Sequence, residues 1–237
     1  MNNVTGIDLS IVLTDKHDIE RLQVRHRIVG SPVFQNTVKK SSNACALRLG
    51  LEEIVLGITH FFMRLRCREC GCEYGKTNKS CTGSQESTYG SNTNTVSIQT
   101  DCRVISICAS ILEISVERKQ QTCIVELLEY TQEQWEAARL RSFVFIDLWE
   151  KQYFIAYGSK FGADYITYKE NPRCGRPHAV AMVLVMDYEA SFDMLHVAAH
   201  CRIGRKVQKR VYFASRTPEH TIAYVALQHV LFAPVKR

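Results

Sequence analysis

Three side chains in the C-terminal half of the chain, Tyr168, His178 and Lys209, are of the types that move protons and hold negative charge. A phenol and an imidazole can divide the taking and giving of a proton, and an ammonium can stabilise charge that develops between them. The three lie 10 and then 31 positions apart, so only a particular arrangement of elements brings them together. Each also has an ordinary role: a Tyr at a strand end packs its ring on the sheet, and a His or Lys at a strand start is a solvated edge residue. Beside Lys209 lies the densest basic cluster, Arg202, Arg205, Lys206 and Arg210. It can track a phosphate backbone or form a solvated helix end.

The elements that must position these residues can be read from periodicity. Residues 153–157 and 163–168 have strand composition and are separated by Gly158 and the KFG of 160–162. The stretch KENPRCGRP over 169–177 holds two prolines and a glycine, so it turns the chain rather than continuing a strand. A strand follows over 178–186. Ser191 can cap a helix through Met194, Leu195, Val197 and Cys201 that ends near Gly204, and strands follow over 209–215 and 221–232. If the strands flanking 169–177 form a hairpin, Tyr168 and His178 sit at one end of the sheet. The helical crossover is long enough for parallel pairing of the next two strands, and parallel strands start at the same end, which adds Lys209. The expected order is hairpin, helical crossover, hairpin.

The N-terminal part reads as a small α/β domain. Ile7, Leu9, Ile11 and Leu13 alternate as in a half-buried strand. Asp15 can cap a helix with Ile19, Leu22 and His26 at helical spacing and Gly30 as its stop. A second helix is expected through EEIVLGITHFFMRLR, 52–66, on the stripe Ile54, Ile58, Phe61, Phe62 and Leu65. Between 75 and 100, 17 of 26 positions are Gly, Ser, Thr or Asn, too polar to offset chain entropy, so a poorly ordered insert is expected. Residues 102–128 are more apolar and fit a strand or a helix. Thr131 with Gln134 is a capping-box pattern, opening a helix with Trp135, Ala138, Phe143, Ile146 and Leu148 on one stripe. The expected organisation is an N-terminal domain over 1–66, an insert and linker over 67–130 and a C-terminal domain over 131–237.

Composition narrows the function classes. With 237 residues, 46% apolar and 23% charged, the chain has the composition of a folded protein with a real core. The longest apolar run, 179–186, ends at Asp187 and is too short to span a membrane. The N-terminus lacks a basic start and carries Asp8 in its apolar stretch, so a non-secreted protein is expected. The ten cysteines then read as buried thiols or metal ligands rather than disulfides. Cys67, Cys70, Cys72 and Cys81 include a CxxC of knuckle type without a matching second pair, so they fit zinc or plain thiols in a flexible insert. A net charge of +6 biases association towards polyanions. Asp164 invites a metal-nuclease reading, but Asp187 and Glu189 fall at the far end of their strand, so no metal is expected.

GSKFGADYITY at 158–168, the His at the next strand and RIGRKVQKRVYFAS at 202–215 together resemble the C-terminal nuclease domain of tRNA-splicing endonucleases. RHRIVGS at 25–31, RIG at 202–204 and YVALQH at 224–229 narrow the resemblance to the smaller catalytic subunit of the eukaryotic enzyme, assigned to the 3′ splice site. It covers about two thirds of the chain, clear from 135 onward and looser over 7–62. The resemblance implies an α/β (α+β) protein with a small N-terminal α/β domain and a restriction-endonuclease-like mixed-sheet nuclease domain. It implies Tyr168 as general base on the 2′-hydroxyl, His178 as acid on the leaving 5′-oxygen, with those two roles exchangeable, and Lys209 as the stabilising cation. The products would be a 2′,3′-cyclic phosphate and a 5′-hydroxyl, with no cofactor. It further implies RNA contacts from Arg202, Lys206 and Arg210. Arg202 would hold an unpaired base against an aromatic residue that is usually Trp in the family and is His229 here. The implied partners are pre-tRNA, a non-catalytic partner subunit and a second catalytic subunit, and the implied location is the nucleus. The alternative within the same assembly is a non-catalytic structural or RNA-binding subunit.

Overall fold

The computed structural model describes residues 3–33, 46–67, 73–74, 95–100, 103–108, 112–116, 119–122, 124–175 and 177–227. They fall into two units, Met1–Ser142 and Phe143–Arg237.

In the first unit the expected alternating strand is β1 (Asn3–Leu13), followed by α1 (Lys16–Arg25). The Asp15 carboxylate caps α1 by accepting from the amides of His17 at 2.9 Å and Asp18 at 3.2 Å. The helix stops at Arg25 rather than at Gly30, because Arg27 adopts the left-handed conformation with φ 54°. Next come β2 (Ser31–Val33), β3 (Ala46–Leu49) and α2 (Leu51–Thr59). Ile11, Leu13, Leu22, Leu49, Ile54 and Leu56 are fully enclosed.

The helix expected over 52–66 is a helix and a strand. It ends at Thr59, Phe61 turns the chain with φ 62°, and β4 (Met63–Cys67) follows. Close packing imposes this. The Phe62 amide donates to the Gly57 carbonyl at 3.1 Å, and a Cβ on Gly57 would lie 2.4 Å from Met63 Sδ, so the chain folds straight back over the helix. The last members of the apolar stripe, Phe61, Phe62 and Leu65, belong to the turn and the strand.

Within the stretch 67–130 lie β5 (Glu73–Tyr74), β6 (Thr95–Thr100), β7 (Arg103–Cys108), β8 (Leu112–Val116), β9 (Lys119–Thr122) and the start of β10 (Ile124–Thr131). Residues 102–128 therefore form strands where they are described. β10 pairs antiparallel with β1 from Asn3↔Thr131 to Ser10↔Ile124, giving the sheet order β10-β1-β3-β2. That end of the stretch completes the N-terminal sheet. Residues 75–94, and with them Cys81, lie outside the described residues, as do Cys70 and Cys72. Cys67 closes β4.

The helix α3 (Gln132–Glu150) carries the boundary between the units. Its second half belongs to the second unit, where Phe145 rests edge-on against Tyr165 with ring centroids 5.4 Å apart. The remaining elements are β11 (Phe154–Tyr157), a 3-10 turn at Ser159–Phe161, β12 (Tyr165–Tyr168), β13 (Ala181–Val185), α4 (Met194–Lys206), β14 (Arg210–Arg216) and β15 (Ile222–Leu227). The sheet runs β11-β12-β13-β14-β15, antiparallel except for the parallel pair β13 and β14. This is the expected mixed sheet of an α+β fold.

Its second face is apolar and packs with α4: Met182, Leu184, Val211 and Phe213 are buried, with Phe161, Val197 and Ile203 against them. Asp193, not Ser191, caps α4, its carboxylate accepting from the Leu195 amide at 3.0 Å. The helix also passes Gly204, its expected end. A Cβ there would lie 2.5 Å from Val211 Cγ2, so the glycine marks a close approach of helix to sheet rather than a stop. The turn comes at Gln208, φ 55°.

Candidate active site

Strand register builds the site. Thr167 pairs with Ala181, and Ala181 with Arg210. One step further towards the same edge, the Val180 amide donates to the Thr167 carbonyl at 2.8 Å and the Arg210 amide to the Val180 carbonyl at 3.3 Å. Tyr168, Val180 and Lys209 thus stand in one row across three strands. Neighbouring strands lie roughly 4.8 Å apart, so the outer two backbones are about 10 Å apart, within reach of long side chains.

Alternation decides which face each side chain takes. Tyr165 meets Phe145 of α3, so Ile166 and Tyr168 face the other way, towards α4. Lys209 precedes Val211, which is buried in the α4-side cluster, and takes that side as well. His178, two residues before Val180, is exposed in the extended lead-in to β13. The strand begins at Ala181, three residues later than expected, and Lys209 sits one residue before β14. In the connection after β12 the chain turns at 171–174, Asn171 accepting from the amide of Arg173 through its side chain and of Cys174 through its carbonyl, each at 3.0 Å.

Tyr168 is half-buried, and burial pushes its phenol above the usual value of 10. Lys209 does not turn to it. Its ammonium donates to the Val207 carbonyl at 3.2 Å and stands 5.9 Å from the centroid of the Phe161 ring. Arg202 and Lys206 are exposed on the second half of α4. Arg210 does not join them, because it lies on the opposite face from Lys209. There its guanidinium hydrogen-bonds the Tyr212 side chain, which holds its pKa above the usual arginine value. His229 lies outside the described residues.

The carboxylates that could suggest a metal are otherwise engaged. Asp164 accepts from the Val185 amide at 2.8 Å, and Asp187 from the Glu189 amide at 3.0 Å. Among the described residues no three His, Cys, Asp or Glu side chains come close enough to hold a metal ion, and no helix is long and apolar enough to cross a membrane.

Two polar linkages were not foreseen from the sequence. His200 is buried in α4, with Nε2 3.0 Å from the Gly162 carbonyl and Nδ1 2.9 Å from that of His196. The Tyr224 hydroxyl donates to the Asp147 carboxylate, which also pairs with Lys151, and so ties β15 to α3. The i,i+4 spacing of His196 with His200 and of Asp147 with Lys151 was the available signal; the partners across the fold had none.

Residues 139–224 match the family model described as tRNA intron endonuclease, catalytic C-terminal domain. The C-terminal unit resembles the tRNA intron endonucleases. Over 92 residues, 39% of this chain, it is 29% identical to the tRNA-splicing endonuclease subunit Sen34 of Homo sapiens, covering 29% of that protein. The Mus musculus subunit is also 29% identical over 92 residues, with 28% of its length covered. The tRNA-splicing endonuclease of Hyperthermus butylicus is 31% identical over 86 residues, 36% of this chain and 46% of that protein. The match thus spans less than half the length of each of these relatives. Tyr168, His178, Arg202, Lys206, Lys209 and Arg210 all fall within the segment shared with the tRNA intron endonuclease family; His229 does not.

Proposed function

We infer that this chain is a catalytic subunit of a tRNA-splicing endonuclease that cuts pre-tRNA at the 3′ splice site. The observation that carries the reading is the row Tyr168, Val180, Lys209, with His178 two residues from its middle member, inside the segment that matches the catalytic-domain family. RNA holds its own nucleophile, the 2′-hydroxyl beside the scissile phosphate. Cleavage then needs two proton transfers and a cation, which is the set present, and leaves a 2′,3′-cyclic phosphate and a 5′-hydroxyl without a metal-bound water.

In the order the family resemblance implies, Tyr168 takes the 2′-hydroxyl proton, His178 gives one to the leaving 5′-oxygen and Lys209 stabilises the charged phosphorane-like transition state. Burial raises Tyr168 above 10, so its phenol starts neutral, and a base role requires the Lys209 ammonium to leave Val207 and turn towards it. The exchanged order, with His178 as base, needs no such turn, and the raised Tyr168 favours it as the second reading. Arg202 and Lys206 supply phosphate or base contacts, Arg202 with His229. The working form is an assembly with a non-catalytic partner and a second catalytic subunit, located in the nucleus.

The test is single-turnover cleavage of intron-containing pre-tRNA by the assembled complex in excess EDTA, with the product ends mapped. His178→Ala should lose only the 3′ cut, by about a hundredfold or more. Normal cutting at that junction by His178→Ala would make this chain a structural or RNA-binding subunit. Loss of cleavage in EDTA would require a metal mechanism.

A further inference from the structure

The ammonium of Lys209 does not find its place unaided. It stands over the Phe161 ring at 5.9 Å from its centroid and donates to the carbonyl of Val207 at 3.2 Å, and Phe161 belongs to the turn between β11 and β12. That turn leads into the start of β12, the end remote from Tyr168, yet its aromatic side chain comes within 5.9 Å of the Lys209 ammonium. Its backbone is closed on itself: the amides of Phe161 and Ala163 both donate to the Gly158 carbonyl, at 2.8 and 3.2 Å. None of those bonds ties the turn to α4.

That link is His200. Its ring is buried to 4% exposure, and Nε2 meets the carbonyl of Gly162, the residue after Phe161, at 3.0 Å. On the other side Nδ1 is 2.9 Å from the His196 carbonyl one helical turn back, and the His196 ring covers it edge-on at 4.4 Å. Carbonyl oxygens only accept, so both contacts are hydrogen bonds when both ring nitrogens carry protons, and a ring with one proton keeps one of them. A proton on Nε2 gives a hydrogen bond to the Gly162 carbonyl that fixes the spacing between helix and turn more tightly than apolar contact does, because a hydrogen bond has a preferred distance and direction.

We propose that His200 is a positioning residue for Lys209, holding the Gly158–Gly162 turn on α4 so that the Phe161 ring cradles the ammonium. The proposal deepens the functional reading above and, in its catalytic consequence, rests on it in the order with His178 as base, where Lys209 acts from this place without turning to Tyr168. His200 is buried, and its hydrogen-bond contacts are with the Gly162 and His196 carbonyls rather than with Tyr168, His178 or Lys209. A displacement of about 1 Å in a charge-stabilising group can cost about a hundredfold in rate, so His200→Ala should slow single-turnover cleavage by roughly ten- to a hundredfold while leaving half-saturating RNA concentration unchanged. Gln can place an N–H near Gly162, so His200→Gln should keep the rate within about threefold.

The deciding experiment has one arm free of activity and one that uses it. In the full chain carrying 13C at lysine Cε, with Lys209 assigned by Lys209→Arg, the Phe161 ring current should shift the Lys209 signal upfield. The shift should vanish in Phe161→Leu and His200→Ala and persist in His200→Gln, each variant first shown to melt cooperatively. In the assembled complex, adding His200→Ala to Lys209→Ala should cost nothing further, the non-additivity expected when one residue acts through the other. An unchanged Lys209 signal in His200→Ala, a full additive loss in the double variant, or a His200→Gln as slow as His200→Ala would overturn the proposal. If the wild-type complex cleaves no pre-tRNA, the functional reading fails while the lysine signal still decides the role of His200.

Discussion

Tyr168 and Lys209 stand in one row across the C-terminal sheet, separated by Val180, with the Lys209 ammonium turned away towards the Val207 carbonyl. Burial of the half-buried Tyr168 phenol holds its proton above the usual tyrosine value. A difference ultraviolet titration of the full chain against Tyr168→Phe should therefore show the Tyr168 phenolate only above pH ~10. Phenolate signal from Tyr168 near neutral pH would refute this arrangement. Cleavage by Tyr168→Phe should fall by about a hundredfold or more, whichever proton the residue handles.

Tyr224 anchors β15 to α3 through the Asp147 carboxylate, and burial followed by that hydrogen bond pushes its pKa far above the usual value. The folded state then binds the proton more tightly than the unfolded chain. Its contribution to stability is whole below the ordinary tyrosine value near 10 and is lost as pH rises beyond it. Tyr224→Phe should cost roughly 1.5–3 kcal/mol at pH 7, as for a hydrogen bond to a charged group. It should also flatten the alkaline fall of the urea midpoint measured between pH 8 and 11.

Gly204 lets α4 approach the sheet beside Lys209: an added Cβ would meet Val211 Cγ2 at 2.5 Å and the Lys209 carbonyl at 2.9 Å. Gly204→Ala should therefore destabilise by about 1–3 kcal/mol despite its gain in helix propensity. Because the obstructed atoms include the Lys209 backbone, cleavage measured well below the melting temperature should drop too. A variant that melts early but cuts normally would separate packing from positioning at this glycine.

Arg202 and Lys206 project from α4, whereas Arg210 lies on the other face against Tyr212. In salt titrations of pre-tRNA binding, Arg202→Ala and Lys206→Ala should each weaken affinity and lower the log–log slope by roughly 0.7–0.9. Arg210→Ala should leave the slope unchanged. Equal effects at all three would mean that RNA reaches both faces.

Much of the C-terminal fold was legible because its signals are local. Alternation marked the strands, KENPRCGRP marked the reversal between β12 and β13, and the length of the α4 crossover allowed the parallel pairing with β14. From those alone Tyr168, His178 and Lys209 come to one edge, since pairing direction follows from connection length and loop chemistry. The Asp15 cap was likewise readable, being a contact between near neighbours. Where signals compete, local pattern misled. The stripe over 52–66 kept helical period past Thr59, but Gly57 allowed Met63 to fold back onto the helix, and pairing of β4 with β8 outweighed one more helical turn.

What only the tertiary structure decided are contacts between residues remote in the chain. Tyr224 and Asp147 are 77 positions apart, and His200 and Gly162 are 38 apart; neither pair has a periodicity, because each exists only once helix and sheet have docked. The same holds for the direction of the Lys209 side chain, which follows from where the Phe161 ring and the Val207 carbonyl come to rest. Residue order determined which reactive groups share an edge, since strand pairing propagates from neighbour to neighbour along the backbone. Packing decided what each group touches there, because side-chain partners are set by the shape of the assembled interior and by the burial that makes an unpartnered polar group costly.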